Sequence, residues 1–164
     1  MKLKVVLLTG ALLGLIVLGN QFISLTGNAV KEGDVVSVQY RGEYSNGTVF
    51  DESSEPLTFT VGSGQLIPGF EQAVKGLKQG EEVTVELTPS EGYGTRREEL
   101  ITEMNKTTLT EMISQEPEKG MKLMTNTGSQ ATITEVTNET ITLDLNHPLS
   151  GNNLTFWIKI VNIE

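Results

Sequence analysis

The stretch that decides the fold of this chain is Leu66-Ile67-Pro68-Gly69-Phe70-Glu71. Its proline predicts the first turn of a helix, because a missing backbone N–H is tolerated there. Phe70, Val74 and Leu77 then recur at the spacing of one helix face. Gly80 is expected to end this helix, since glycine is favoured just past a helix C-terminus. The sequence therefore predicts one short helix with an apolar face.

Strands are predicted on both sides of this helix. A strand-like run contains Val35, Val38 and Tyr40. Apolar and polar residues alternate over 57–61 and 83–87, which is the period of a half-buried strand. Asn46-Gly47 is a strong hairpin signal after the first of these strands. A last strand over 154–163 is expected to return to the same sheet.

Residues 98–145 read as a separate helix-plus-sheet unit. A short helix is predicted over 108–113, followed by three strands over 121–125, 130–136 and 140–145. The fold class predicted from these patterns is α+β.

Five segments of the chain share a pattern: Tyr40-Arg41-Gly42, Val49-Phe50-Asp51-Glu52-Ser53, the Leu66–Glu71 stretch, Gly92-Tyr93-Gly94 and Asn146-His147-Pro148-Leu149-Ser150-Gly151. Together they resemble the FKBP-type peptidyl-prolyl cis-trans isomerases, and specifically the SlyD-type branch. The resemblance implies an antiparallel sheet wrapped on the short helix over residues 31–97 and 146–164. It also implies that residues 98–145 form an inserted small α+β domain, the insert-in-flap domain.

The resemblance implies an apolar pocket for a proline side chain. Its catalytic residues would be Tyr40, Phe50, Asp51 and Tyr93. Its substrate-binding residues would be Leu57, Leu66, Ile67, Phe70, Leu149 and Phe156. Phe70 would form the floor, the Asp51 carboxylate would face the pocket, and the Tyr93 hydroxyl would bind a substrate carbonyl.

Each of these residues also has an ordinary structural interpretation. The phenylalanines suit a core, Asp51 suits a turn, and Tyr93 lies between two glycines. His147, beside Pro148, is interpreted as structural rather than catalytic. Only the joint pattern of the segments favours a prolyl pocket.

Composition excludes several other chemistries. The chain has no cysteine and one histidine, so neither thiolate catalysis nor a histidine-built metal site is expected. Rotation about a prolyl bond needs no nucleophile, because its barrier of about 18–20 kcal/mol comes from amide resonance. No cofactor and no metal are therefore predicted. The net charge of -9 argues against nucleic-acid binding. A monomer is expected.

The N-terminal residues 1–30 are predicted to lead the chain out of the cytoplasm. Lys2 and Lys4 precede an uncharged stretch over 5–30 that is strongly apolar as far as Leu18. An uncleaved signal-anchor helix is favoured over a cleaved signal peptide, because no good cleavage site follows. A buried core helix remains a third interpretation. Since positive residues stay inside, the rest of the chain is expected outside the cytoplasm, membrane-anchored or secreted.

The sequence therefore predicts an isomerase that acts on Xaa-Pro bonds of extracytoplasmic proteins and assists their folding. The expected partners are proline-containing peptides, unfolded protein clients and the membrane. Methionines 104, 112, 121 and 124 suit either a promiscuous client-binding surface or a small core. The alternatives are a non-enzymatic chaperone or peptide-binding module on the same fold and, more weakly, a cell-surface interaction domain.

Overall fold

The computed structural model describes residues 27–126 and 128–164. The hydrophobic helix predicted near the N-terminus lies outside these residues. Within the described ranges, no helix has the length and apolar character needed to cross a membrane.

The described residues form nine strands, two α-helices and one short 3-10 helix. The strands are β1 (Val35–Tyr44), β2 (Val49–Glu52), β3 (Leu57–Thr60), β4 (Glu82–Leu87), β5 (Ile101–Asn105), β6 (Lys122–Met124), β7 (Gln130–Val136), β8 (Thr140–Asp144) and β9 (Leu154–Ile163). The helices are α1 (Pro68–Val74), α2 (Lys106–Ile113) and the 3-10 turn (Glu98–Leu100). This α+β composition, with antiparallel sheets, confirms the predicted fold class.

The first sheet is built around the last strand. Its order is β2-β1-β9-β4, and β3 pairs with the first half of β1. Alternate residues of β9 point into the core: Leu154, Phe156, Ile158 and Ile160 are 3% exposed or less. The predicted return of this strand to the first sheet is confirmed. Because β9 joins β1 to β4, it completes the surface on which α1 packs.

Helix α1 packs its buried residues Gly69, Phe70 and Val74 against this sheet. The predicted end at Gly80 is wrong, because the helix already ends at Val74. Gly76 has a φ of 84° and donates its N–H to the Val30 carbonyl, so the chain turns away from the helix there. Val30, one residue before the predicted domain start, is 2% exposed and belongs to the same core.

Residues 101–144 build a second sheet with its own core. Its order is β5-β8-β7-β6, and the buried side chains of Leu109, Ile133 and Ile141 form its centre together with α2. Strand β5 was not predicted. Its residues Thr102 and Glu103 are both exposed, so no period of two appears in the sequence.

The chain passes between the two sheets twice, and the buried Asn146 hydrogen-bonds the two connecting segments to each other. The Asn146 side chain accepts a hydrogen bond from the Arg97 N–H and donates one to the Arg97 carbonyl, both at 2.9 Å. Next to this pair, Arg96 contacts the Asp144 carboxylate at 2.8 Å. The chain therefore leaves and re-enters the first sheet at neighbouring points.

Candidate active site

Three aromatic rings meet Phe70 edge-to-face. The Phe70 ring centroid lies 5.5 Å from that of Phe156, 5.8 Å from Tyr40 and 6.0 Å from Phe59. Phe50 then packs on Phe156 at 5.7 Å. Such edge-to-face pairs are stabilising beyond the area that they bury. The cluster is a rigid apolar surface carried by β1, β2, β3, β9 and α1.

Glycine at position 42 permits this packing. A Cβ built on Gly42 would lie 2.6 Å from Phe50 Cζ and 3.0 Å from Phe156 Cε1. Any side chain at this buried position would displace one of the two rings. The backbone of β1 therefore determines where Phe50 lies.

Tyr40 and Asp51 form the polar edge of the cluster. The Tyr40 hydroxyl donates a hydrogen bond of 2.7 Å to the Asp51 carboxylate, which is exposed to solvent. Burial raises the pKa of Tyr40 to about 12, with further contributions from the hydrogen bond to Asp51 and the charges of Asp51 and Tyr93. The β1–β2 register is fixed here by Ser53, which exchanges hydrogen bonds with the Tyr40 backbone. The phenol is therefore neutral and oriented at pH 7.

Tyr93 supplies a second hydroxyl near the same carboxylate. Burial and the negative charge of Asp51 both raise the pKa of Tyr93. No residue of the described ranges forms a hydrogen bond with its hydroxyl, which leaves this donor available for a ligand. The Tyr93 ring stacks on His147, with centroids 4.3 Å apart and planes 7° from parallel.

Four aliphatic side chains form the candidate rim of this site. Leu57, Leu66, Ile67 and Leu149 are partly buried and pack against the core that contains Phe70. Within the part of the chain that is described, the Ile67 N–H forms no hydrogen bond, while the Ile67 carbonyl accepts from α1. An unpaired backbone donor beside an apolar surface suits a peptide carbonyl.

A buried carboxylate holds this rim in place. Glu71 is 6% exposed, and its two oxygens accept hydrogen bonds from the N–H groups of Gly62 at 2.8 Å and Leu66 at 3.1 Å. The loop between β3 and α1 is therefore tied to the helix that carries Phe70.

All ten predicted site residues lie in or beside the first core. Nine of them belong to or pack against that core, and Asp51 reaches it through Tyr40. Their roles in catalysis stay predictions. Glu71, Gly42 and the His147 contact with Tyr93 were not predicted as parts of the site. The sequence signal for Glu71 was its position beside Phe70 in the motif.

The described residues contain no group of three or more histidine, cysteine or acidic side chains that could hold a metal ion. What the site offers is an apolar floor, two phenols and one carboxylate. This arrangement can bind an apolar ring and orient the amide groups beside it.

Comparison with known proteins agrees with this geometry. The sequence model of the FKBP-type peptidyl-prolyl cis-trans isomerases matches residues 27–113. The chain is 41% identical over 156 residues to the short-type peptidyl-prolyl cis-trans isomerase of Methanocaldococcus jannaschii, covering 84% of this chain and 96% of that protein. It is 34% identical over 135 residues to the SlyD isomerase of Yersinia pestis, covering 79% of this chain and 68% of that protein.

A probable FKBP-type 16 kDa isomerase of Pseudomonas fluorescens is 28% identical to this chain, covering 79% of the chain and 88% of that protein. The chain thus belongs to the FKBP-type peptidyl-prolyl cis-trans isomerase family. It is an enzyme of this type, and its resemblance to the SlyD branch is confirmed.

Proposed function

We propose that the aromatic cluster around Phe70 is the prolyl pocket of this isomerase and that it acts on extracytoplasmic proteins. The observation that carries the proposal is the coincidence of an aromatic floor with the Tyr40–Asp51 hydrogen bond and with a Tyr93 hydroxyl that has no hydrogen bond to any described residue. The substrate proline lies over Phe70, between Tyr40, Phe50 and Phe156. Leu57, Leu66 and Leu149 contact the residue before the proline.

The pocket accelerates rotation by favouring the twisted amide. A planar amide is polarised by resonance, and twisting removes this charge separation. An apolar surface therefore binds the twisted form better than the planar form, relative to water. Each 1.4 kcal/mol of this difference increases the rate about tenfold. The Ile67 N–H and the Tyr93 hydroxyl hold the flanking carbonyls so that only the prolyl bond rotates.

We also propose that residues 98–145 are an insert-in-flap domain that holds unfolded clients. Met112 and Met124 are 70% and 72% exposed, whereas Met104 and Met121 pack against the second core. Flexible exposed methionines suit binding to varied apolar segments. Met112 and Met124 therefore suit a client-binding surface, and Met104 and Met121 suit a small core.

A loop-replacement variant tests this role. Residues 98–145 are replaced by a short Gly-Ser linker, which retains the Arg97–Asn146 pair and leaves the first core complete. Loop closure changes slowly with loop length, so the first sheet is expected to fold. Isomerisation of a short peptide should persist, while isomerisation-limited refolding of an unfolded protein should slow much more. Equal losses on both substrates would refute client binding by this unit.

A second test of the same role uses the full chain with Met112→Gln and Met124→Gln. These substitutions remove the exposed apolar surface and leave the second core unchanged, since both side chains are largely exposed. The double variant should behave as the deletion does on the unfolded protein.

The extracytoplasmic location is proposed from the N-terminal sequence. Lys2 and Lys4 before an apolar stretch favour an uncleaved anchor with the enzyme outside. Cell fractionation with N-terminal sequencing of the native protein tests it. A soluble mature chain that begins near Ala29 would refute the anchor and leave export intact. An intact chain in the cytoplasm would refute both.

A further inference from the structure

The segment that returns from the second sheet lies directly against the loop that carries Tyr93. The Ser150 hydroxyl donates to the Tyr93 carbonyl and the Gly151 N–H donates to the Gly94 carbonyl, both at 2.9 Å. A Cβ on Gly151 would lie 3.3 Å from Arg96 Cβ, so the two backbones are in close contact. Movement of either segment therefore displaces the other.

His147 is the side chain that joins these two segments to the pocket. Its ring stacks on the Tyr93 ring with the centroids 4.3 Å apart, and its Nδ1 accepts a hydrogen bond from the Leu149 N–H at 3.2 Å. Its own carbonyl accepts the Ser150 N–H at 2.9 Å. Because Nδ1 is an acceptor, the proton of the neutral ring must lie on Nε2.

We propose that His147 is a positioning residue for prolyl isomerisation, whose neutral imidazole holds Leu149 and the Tyr93 ring in the geometry that the substrate needs. This inference rests on the proposed prolyl pocket. His147 stacks on Tyr93 and is partly open to solvent, and it acts through Tyr93 and Leu149 rather than on the peptide.

Three charged side chains line the same groove as His147. They are Arg96, Lys122 and Asp144, from the Tyr93 loop, β6 and β8 respectively. Burial opposes ionisation of Asp144, but hydrogen bonds from Asn146 and Arg96 outweigh it and lower the pKa of Asp144. The charge of Asp144 is thus paired with Arg96.

Protonation of His147 removes the interaction that holds Leu149. Burial lowers the pKa of His147 below its ordinary value of 6.5. The His147 ring is therefore mostly neutral above pH 6.5. It gains its proton as the pH falls through its pKa in the folded protein. Nδ1 then becomes a donor that faces the donor N–H of Leu149, and the hydrogen bond is lost. Activity should therefore fall on the acid side of pH 6.5.

Two variants separate the ring contact from the hydrogen bond. His147→Asn places an amide oxygen near the position of Nδ1, so it can accept the Leu149 N–H but cannot titrate in this range. His147→Phe retains a ring over Tyr93 and has no acceptor. The test measures kcat/KM of the full-length chain between pH 8 and pH 5 on a short peptide with leucine before proline.

Wild-type activity should fall as the ring gains its proton, and the loss at full protonation should be about fivefold, the size expected for one lost hydrogen bond. His147→Asn should lack this fall and exceed His147→Phe at pH 8, while His147→Phe should be low at every pH. The chain has a single histidine, so an NMR titration of its ring gives the midpoint without assignment. That midpoint should coincide with the midpoint of the activity profile.

The inference is overturned if the wild type and His147→Asn share one pH profile, or if His147→Phe matches the wild type at pH 8. Separate midpoints for the ring titration and the activity would also overturn it. Should His147→Phe not fold, the comparison of the wild type with His147→Asn still decides. If the wild type isomerises no peptide at any pH, the proposed function fails instead.

Discussion

The Tyr40 hydroxyl donates a hydrogen bond of 2.7 Å to the exposed carboxylate of Asp51, across the β1–β2 pairing. This contact places one negative charge at the edge of the aromatic cluster and orients the phenol. It also connects the site to the sheet, because Tyr40 packs edge-to-face on Phe70.

Replacing Asp51 by alanine should reduce activity without unfolding the protein. The carboxylate is exposed, so the free energy of unfolding should change by less than about 1 kcal/mol. We expect kcat/KM on a short proline peptide to fall roughly tenfold, which corresponds to about 1.4 kcal/mol. The matched control is Glu52→Ala, an exposed carboxylate on the same strand. Comparable activity losses in both variants would mean that the effect is general surface charge.

Alkaline pH should destabilise the protein through Tyr40. Its pKa of about 12 in the folded state is above the ordinary value of 10.0. The resulting stability is fully present below the unfolded pKa near 10 and is lost as the pH rises through 12. The free energy of unfolding, measured by urea denaturation, should therefore decrease across this window. Tyr40→Phe should show a smaller decrease. A residual decrease is expected there, because the pKa of Tyr93 is raised too.

Glu71→Gln should weaken both stability and substrate binding. An amide oxygen can replace one of the two hydrogen bonds to Gly62 and Leu66 and leaves the other N–H without its acceptor. We expect a loss of about 1–3 kcal/mol in the free energy of unfolding. KM should rise more than kcat falls, since the loop that carries Leu66 is loosened. Gln72→Ala, the exposed neighbour, should change neither quantity. An unchanged KM in Glu71→Gln would contradict the role of this loop in the rim.

Phe70→Leu and Phe59→Leu should separate the pocket from the core. Both phenylalanines are 4% exposed and contact each other, so both variants should lose about 1–2 kcal/mol of stability. Only Phe70 forms the proposed floor. Activity per folded molecule should therefore fall roughly tenfold in Phe70→Leu and stay near the wild-type value in Phe59→Leu. Equal activity in the two variants would place the proline elsewhere.

Local signals in the sequence predicted much of the first sheet. The Asn46-Gly47 hairpin is confirmed, since Gly47 has a φ of 81° and donates to the Tyr44 carbonyl at 2.8 Å. The start of α1 at Pro68 is also confirmed. These features depend on neighbouring residues alone. The end of α1 was wrong because it depends on the contact of Gly76 with the distant Val30.

Contacts between distant segments account for the features that were missed. Strand β5 is held by its pairing with β8 rather than by an apolar pattern of its own. The stacking of His147 on Tyr93 arises only where the chain re-enters the first sheet. The ten site residues were predicted from a joint motif that resembles a known family, although each alone suits a core or a turn, and their roles stay predictions.

The central claim is that this pocket catalyses Xaa-Pro isomerisation with a preference for an apolar residue before the proline. The most direct measurement is a protease-coupled isomerisation assay on residues 27–164, which contain Val30 and the complete first core. Peptides that differ only in having leucine or glutamate before proline are compared, using wild type and Tyr93→Phe. We predict faster isomerisation of the leucine peptide and a lower rate in the variant. Equal rates for both peptides, unchanged by Tyr93→Phe, would contradict the account.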